Sequence, residues 1–144
     1  MLIASGDVLR ITGLPQTTLN RWSDLVRPVN NHAGHGNHRK FSVMQTLALA
    51  YAKVWADQGC GFPWVREVVK FVANLSQDDL ETHLNAGRRL LIPMPEHLGG
   101  SHLVEPQWYD DPKQRALSQA LDLGHCYATV MSQVNRLESR NGKR

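Results

Sequence analysis

The sequence has few of the features that mark membrane-spanning, secreted or disulfide-bonded proteins. Its 144 residues contain two cysteines, Cys60 and Cys126, and no Cys-x-x-Cys pair, so neither a disulfide framework nor a zinc-thiolate site is expected. No apolar run approaches the roughly 20 residues of a membrane-spanning helix, and no basic start is followed by an apolar stretch. These absences predict a cytoplasmic protein that does not contact a membrane.

The motifs of catalysis are also missing. Adjacent carboxylates occur at Asp78-Asp79 and Asp110-Asp111, but no nucleophile motif, phosphate-binding glycine loop or metal-ligand pair accompanies them. His32, His35 and His38 recur at every third residue in an Asn- and Gly-rich stretch, whose spacing fixes no tetrahedral geometry. The sequence therefore predicts neither an enzyme nor a bound cofactor or metal.

Charge is distributed unevenly along the chain. Residues 1–75 hold eight Lys/Arg and four Asp/Glu, residues 76–112 hold two and seven, and residues 113–144 hold six and two. The basic ends favour a polyanionic partner. The changes in charge suggest boundaries near residues 75 and 112, with a connector of unknown role between them.

The first 26 residues predict two short helices joined by a tight turn. Ser5 is expected to cap a helix over residues 6–12, Gly13 to end it, and Pro15 to begin the next helix. Leu19 and Trp22 then share the buried face, Trp22 being a core residue. This arrangement is typical of a helix-turn-helix, whose second helix enters the major groove of DNA.

The following residues predict a short β-hairpin and two further helices. The stretch NNHAGHGNHRKF is too rich in turn-forming residues for a helix and fits the loop of a two-stranded wing. Ser42 is expected to begin a helix over residues 43–58, and Pro63 a helix over residues 63–73.

The last 70 residues predict a small mixed connector followed by one long helix. Ser76 to Asp79 resembles a helix cap, and the runs RRLLIPMP and SHLVEP fit two strands joined through Gly99-Gly100. Asp111-Pro112 is expected to begin a helix whose apolar stripe is buried either on its own domain or against a second copy of the chain, and a dimer is the favoured alternative. The expected dimerisation residues are Leu117, Leu121, Ala128, Met131 and Val134.

Four segments, in order, resemble the MerR-type winged helix-turn-helix family: ITGLPQTTLNRW, DLVRP, HRKFS and GFPWVREVV, all within about residues 1–75. The family usually has Thr-Leu-Arg and an aromatic residue where this chain has Asn20 and Arg21, and a wing tyrosine where it has Phe41. The resemblance implies a mainly α protein with a short two-stranded wing, which binds double-stranded DNA as a homodimer through a C-terminal helix.

The resemblance and the helical spacing together assign candidate DNA contacts. Asn and Arg side chains suit base edges, whereas threonine, lysine and other arginine side chains suit phosphates; Arg10 and Lys53 are further phosphate candidates. The expected DNA-binding residues are Thr17, Thr18, Asn20, Arg21, His38, Arg39 and Lys40.

The predicted function is sequence-specific transcriptional regulation by a homodimer, with a small-molecule or protein effector left open. Two alternative functions would use the same predicted winged helix-turn-helix domain. One is a phage-type DNA-architectural factor, similar to excisionases or small terminase subunits. The other is a protein-interaction adaptor that has lost DNA binding.

Overall fold

The computed structural model describes residues 1–30, 39–106 and 111–142. These residues are mainly helical, as predicted, with seven α-helices and five short strands. The helices are α1 Ser5–Thr12, α2 Gln16–Val26, α3 Val43–Asp57, α4 Phe62–Asn74, α5 Gln77–Asn85, α6 Pro112–Ala120 and α7 Leu123–Gly142. The strands are β1 Leu2–Ala4, β2 Val29–Asn30, β3 Arg39–Ser42, β4 Leu90–Ile92 and β5 His102–Val104.

Helices α1 and α2 meet at the glycine turn that the sequence predicts. Gly13 adopts the left-handed conformation, with φ 72°, and its backbone N–H donates to Leu9 O at 2.9 Å. Such a conformation favours glycine because a Cβ would be strained there. The expected cap at Ser5 is wrong: Ala4 occupies the cap position, and the Ser5 hydroxyl donates instead to the Arg39 carbonyl oxygen at 3.3 Å.

The sheet beside these helices has three strands, in the order β1-β3-β2, all antiparallel. The expected pair is therefore extended by β1, which the sequence analysis did not identify. Ile3 of β1 lies opposite Phe41 of β3, and both side chains are buried. Residues 31–38, between β2 and β3, lie outside the described residues. The predicted wing loop and the three histidines considered as metal ligands fall in this segment.

Helix α3 forms the centre of the core. It begins at a capping box in which Ser42 Oγ accepts from Gln45 N at 3.0 Å and Gln45 Oε1 accepts from Ser42 N at 2.9 Å. Leu47 and Tyr51, one turn apart, are fully buried, and the helix packs against α1, α2, α4 and α7. This central position makes α3 the support on which the N-terminal and C-terminal helices are placed.

The acidic connector folds onto the same core. The Ser76 cap is confirmed by its hydroxyl, which accepts from Asp79 N at 3.0 Å. The predicted strand pair is also confirmed: Leu91 of β4 lies opposite Leu103 of β5, and both side chains join the continuous hydrophobic core. The charge boundaries along the sequence therefore do not separate independent cores.

The single C-terminal helix expected from the sequence is interrupted at Leu121–Asp122. Here Asp122 forms an antiparallel β-bridge with Leu90, the first residue of β4. The backbone N–H of Leu123 donates to Arg89 O at 2.9 Å. The Asp122 carboxylate then accepts from His125 N at 3.1 Å. Such side-chain bonding favours a new helix start over a continuous helix.

Two contacts hold this junction against the core. Tyr51 of α3 donates its hydroxyl to Leu121 O at 2.6 Å. The Arg89 guanidinium donates from Nε to Asp122 at 3.0 Å and lies over Gly124, where an added Cβ would come within 2.5 Å of Arg89 Nη2. A side chain at position 124 would therefore require the Arg89 guanidinium to move from this position.

Candidate nucleic-acid interface

Helix α2 has one buried face and one polar, exposed face. Leu19, Trp22 and Val26 are buried, and their spacing of three and four residues defines the face toward the core. The burial of Trp22 confirms its assignment as a core residue. The opposite face carries the exposed residues Thr17, Asn20, Arg21 and Asp24, with Thr18 half-buried beside them.

The turn before α2 fixes the direction in which this polar face points. Thr12 donates its hydroxyl to Val8 O at 2.8 Å and accepts from Leu14 N at 3.2 Å. Leu14 is itself buried. Hydrogen bonding at Thr12 and packing at Leu14 thus restrain α2 relative to α1.

The end of α2 presents an arginine that the sequence analysis did not single out. Arg27 has φ 51° and ψ 64°, a left-handed conformation, and its N–H donates to Ser23 O at 3.1 Å. Left-handed geometry at a residue other than glycine costs roughly 1 kcal/mol or more. The side chain is exposed, so the α2 terminus adds a cation close to the polar face.

Arg39 connects the sheet to α2. Its Nη1 donates to Ser23 Oγ and its Nη2 to Asn20 Oδ1. Successive strand residues point to opposite faces, so Arg39 shares the core-facing side of β3 with the buried Phe41. The structure therefore places Arg39 where it orients α2, whereas the sequence analysis assigned it to a phosphate.

The side-chain oxygen of Asn20 is already used in hydrogen bonds within the protein. Its Oδ1 accepts from Arg39 and also from Gln16 Nε2 at 2.9 Å. Reading adenine with both atoms of an amide needs a free acceptor as well as a donor. Asn20 thus holds the strand and helix together, and Thr17, Arg21 and Asp24 are the exposed residues of this face without such a contact to β3.

Lys40 lies on the outer face of the sheet. It is exposed and pairs in register with Ala4 on one side and Val29 on the other. Because strand residues alternate between faces, its side chain points away from the side of β3 on which Arg39 contacts α2. His38, the remaining predicted wing contact, lies outside the described residues.

The two further phosphate candidates make ion pairs within their own helices. Arg10 contacts Asp7, and Lys53 Nζ lies 2.6 Å from Asp57 Oδ2. Such surface pairs contribute little to stability, but they lower the local positive charge. Neither residue joins the polar face of α2.

The predicted dimerisation stripe is divided between the core and the surface. Leu121 and Val134 are buried within the single chain, Met131 is half-buried, and Leu117 and Ala128 are exposed. The predicted stripe assumed one continuous helix through residues 121 and 122, where the structure has a break. Helix α7 instead packs on α3 through the face that contains Leu123, Val130 and Val134.

Cys126 lies on the core side of α7, where its thiol is not suited to detecting oxidants or metal ions. Burial, with a smaller contribution from the negative charge of Asp122, raises the pKa of its thiol from 9.0 to about 12. Only the thiolate is nucleophilic or metal-binding, so Cys126 is inert at neutral pH. Among the described residues, no group of three or more His, Cys, Asp or Glu side chains could hold a metal ion.

This raised pKa predicts a loss of stability in alkali. The protonated thiol is favoured in the folded state, so its contribution is complete below the unfolded pKa near 9 and is lost as the pH rises toward 12. Between pH 8 and 10 we expect the free energy of unfolding of the wild type to fall by about 1 kcal/mol more than that of Cys126→Ala. Urea unfolding at both pH values measures this, and equal losses would contradict it.

The function of this chain is inferred from its own geometry, because comparison with known families and curated proteins assigns none. No protein-family model matches the chain, and no curated protein sequence matches it significantly. In the part of the chain that the structure describes, none of the helices combines the length and apolar character needed to cross a bilayer.

Proposed function

We propose that the protein is a MerR-type winged helix-turn-helix regulator that binds double-stranded DNA in a sequence-specific manner as a homodimer. The observation that carries the proposal is the two-faced α2: Trp22 and Leu19 anchor one side in the core, while Thr17 and Arg21 project from the other. A helix presented in this way after a tight turn suits insertion into a major groove.

The exposed side chains suit the chemistry of base edges. Arg21 can donate two hydrogen bonds to the O6 and N7 acceptors of guanine, and Asp24 can accept from the amino group of cytosine. Thr17 can contact a thymine methyl group or a phosphate. Sequence preference would therefore reside chiefly in Arg21, because a paired contact discriminates better than a single one.

The neighbouring cations suit the sugar-phosphate backbone. Lys40 on β3 and Arg27 at the end of α2 are both exposed, and we assign the phosphate contacts to these two cations. Contacts to phosphates set the register of a protein on DNA and supply affinity on any sequence. Arg39 acts behind them by holding β3 against α2.

Dimerisation in this proposal uses the surfaces that a single chain leaves open. Leu117 of α6 and Ala128 of α7 are exposed, and Met131 is partly so. Contacts there would place two α2 helices on successive half-sites. The buried Leu121 and Val134 would support this surface from within and not touch the second copy.

Selection of bound duplexes from a random pool tests the proposal. We expect a recurrent motif with two related half-sites, one helical turn or a multiple apart, and a dimer in sedimentation. Affinity should fall steeply with salt, because bound phosphates release counterions. If no sequence is enriched among the bound duplexes, or if binding does not respond to salt, the proposal is contradicted and a protein-interaction adaptor is favoured.

Genome-wide occupancy then tests the regulatory role. We expect bound sites near promoters. Sites confined to recombination or packaging sequences would instead identify an architectural DNA factor that uses the same interface.

A further inference from the structure

A groove between the first and last helices brings together arginines from distant parts of the chain. Arg10 of α1 and Arg136 and Arg140 of α7 line it, and its volume is about 210 Å³. Ile11 and Leu137, both half-buried, form its apolar part. We call this feature the α1–α7 groove.

The groove carries an excess of positive charge. Asp7 is the one carboxylate among its described lining residues, and it pairs with Arg10. Within the described residues, Arg136 and Arg140 have no carboxylate oxygen inside the 4.0 Å that defines an ion pair. Three guanidinium groups and one carboxylate leave two net positive charges in one depression.

Guanidinium groups are well suited to phosphate. Each presents several N–H donors in a planar fork that matches two oxygens of one phosphate group. Gln133 adds an amide donor to the lining. A phosphate monoester carries between about 1.5 and 2 negative charges at neutral pH, which complements the excess charge of the groove.

A second, shallower depression continues from the groove along α7. It shares Gln133 and Arg136 with the groove, has a volume of about 370 Å³, and is lined also by His125, Ala128, Thr129 and Ser132. Because Ala128 belongs to the proposed dimer contact, a ligand in this depression would lie beside the second copy of the chain. Hydroxyl, amide and imidazole groups favour a ligand body that can form hydrogen bonds. The two depressions together therefore suit a phosphate attached to a polar body.

We propose that the α1–α7 groove binds a small phosphate monoester of the sugar-phosphate class, with the phosphate among the three arginines and the hydroxylated body beside Thr129 and Ser132. A terminal phosphate can enter a recess between two helices, whereas the phosphates of a duplex lie along a continuous strand and would have to approach from outside. The ligand would bridge α1 and α7. This inference does not depend on DNA binding by α2.

Isothermal titration with glucose 6-phosphate, inorganic phosphate and glucose tests the proposal. We expect the phosphate ester to bind most tightly and glucose not to bind. The double variant Arg136→Ala, Arg140→Ala should weaken ester binding at least tenfold. Asp7→Asn should strengthen it several-fold, because the substitution removes a negative charge beside the phosphate.

Arg66→Ala is the matched control, since Arg66 is an exposed arginine of α4 that does not line the groove. Its ester affinity should equal that of the wild type. No binding of the ester at millimolar concentration, or equal losses in Arg66→Ala and the double variant, would overturn the proposal. Loss of duplex DNA affinity in the double variant, without any ester binding by the wild type, would assign the arginines to DNA instead.

Discussion

Replacing Arg21 by alanine is expected to reduce the preference for the selected DNA sequence over a scrambled duplex by about 5- to 150-fold, the equivalent of about 1 to 3 kcal/mol. The side chain is exposed on the polar face of α2, so the substitution leaves the core intact. Its guanidinium is the group on that face best able to distinguish guanine from the other bases. Competition binding at constant salt gives the ratio directly.

Lys40→Ala is the comparison that separates base reading from backbone contact. Its affinity should fall by a similar factor on the selected and scrambled duplexes, and the slope of log affinity against log salt should decrease by about one. Unfolding curves should show that neither variant loses stability. Equal losses on every sequence from both substitutions would reject the assignment of base reading to Arg21.

Leu121→Asp is expected to destabilise the folded chain by at least about 3 kcal/mol, because it replaces a buried apolar side chain by an unpaired charge. Leu121 is 4% exposed, and its carbonyl oxygen accepts the Tyr51 hydroxyl. If Leu121 were instead in a dimer contact, as the sequence predicts, the expected result would be a stable monomer. Denaturant unfolding distinguishes loss of folding from loss of association.

Ala128→Asp provides the matched variant on the exposed side of α7. Its stability as a monomer should change by no more than about 0.5 kcal/mol, as is usual for surface substitutions. If the proposed dimer uses this surface, sedimentation should show monomers. A dimer of unchanged stability in Ala128→Asp would place the contact elsewhere.

Local signals were sufficient to predict much of the N-terminal fold. Gly13 and Pro15 mark the turn because each restricts or permits particular backbone angles within a few residues. Ser42 marks the start of α3 in the same way, since its capping partner Gln45 is only three residues away. The buried side of α2 followed from helical periodicity at Leu19 and Trp22.

Contacts between distant residues could not be predicted by such reasoning. Arg39 and Asn20 are 19 residues apart, and Arg89 and Asp122 are 33 apart. The alternation along β3 could have placed Arg39 on the side of Phe41, but not identified its partner. The break before α7 was missed because residues 113–137 maintain an apolar period that fits a continuous helix, whereas the deciding contacts come from β4.

Arg27 shows the same limitation at the candidate interface. The end of α2 near Arg27 could be anticipated from the following proline, but the left-handed backbone of Arg27 depends on how the chain turns into β2. Asp24 was accessible to helical periodicity, because it lies seven residues after Thr17 on the same face. Within α2, the predicted contacts ended at Arg21.

Because Arg39 is hydrogen-bonded to Asn20 and Ser23, α2 cannot be transferred to another protein without its strand partner. A chimera that receives residues 16–26 without residue 39 would lose the partner of two polar side chains, and its inserted helix would settle at a different angle. Substitutions meant to change the DNA sequence preference of this domain must therefore vary positions 20 and 39 together. Positions 17 and 21 can be randomised independently.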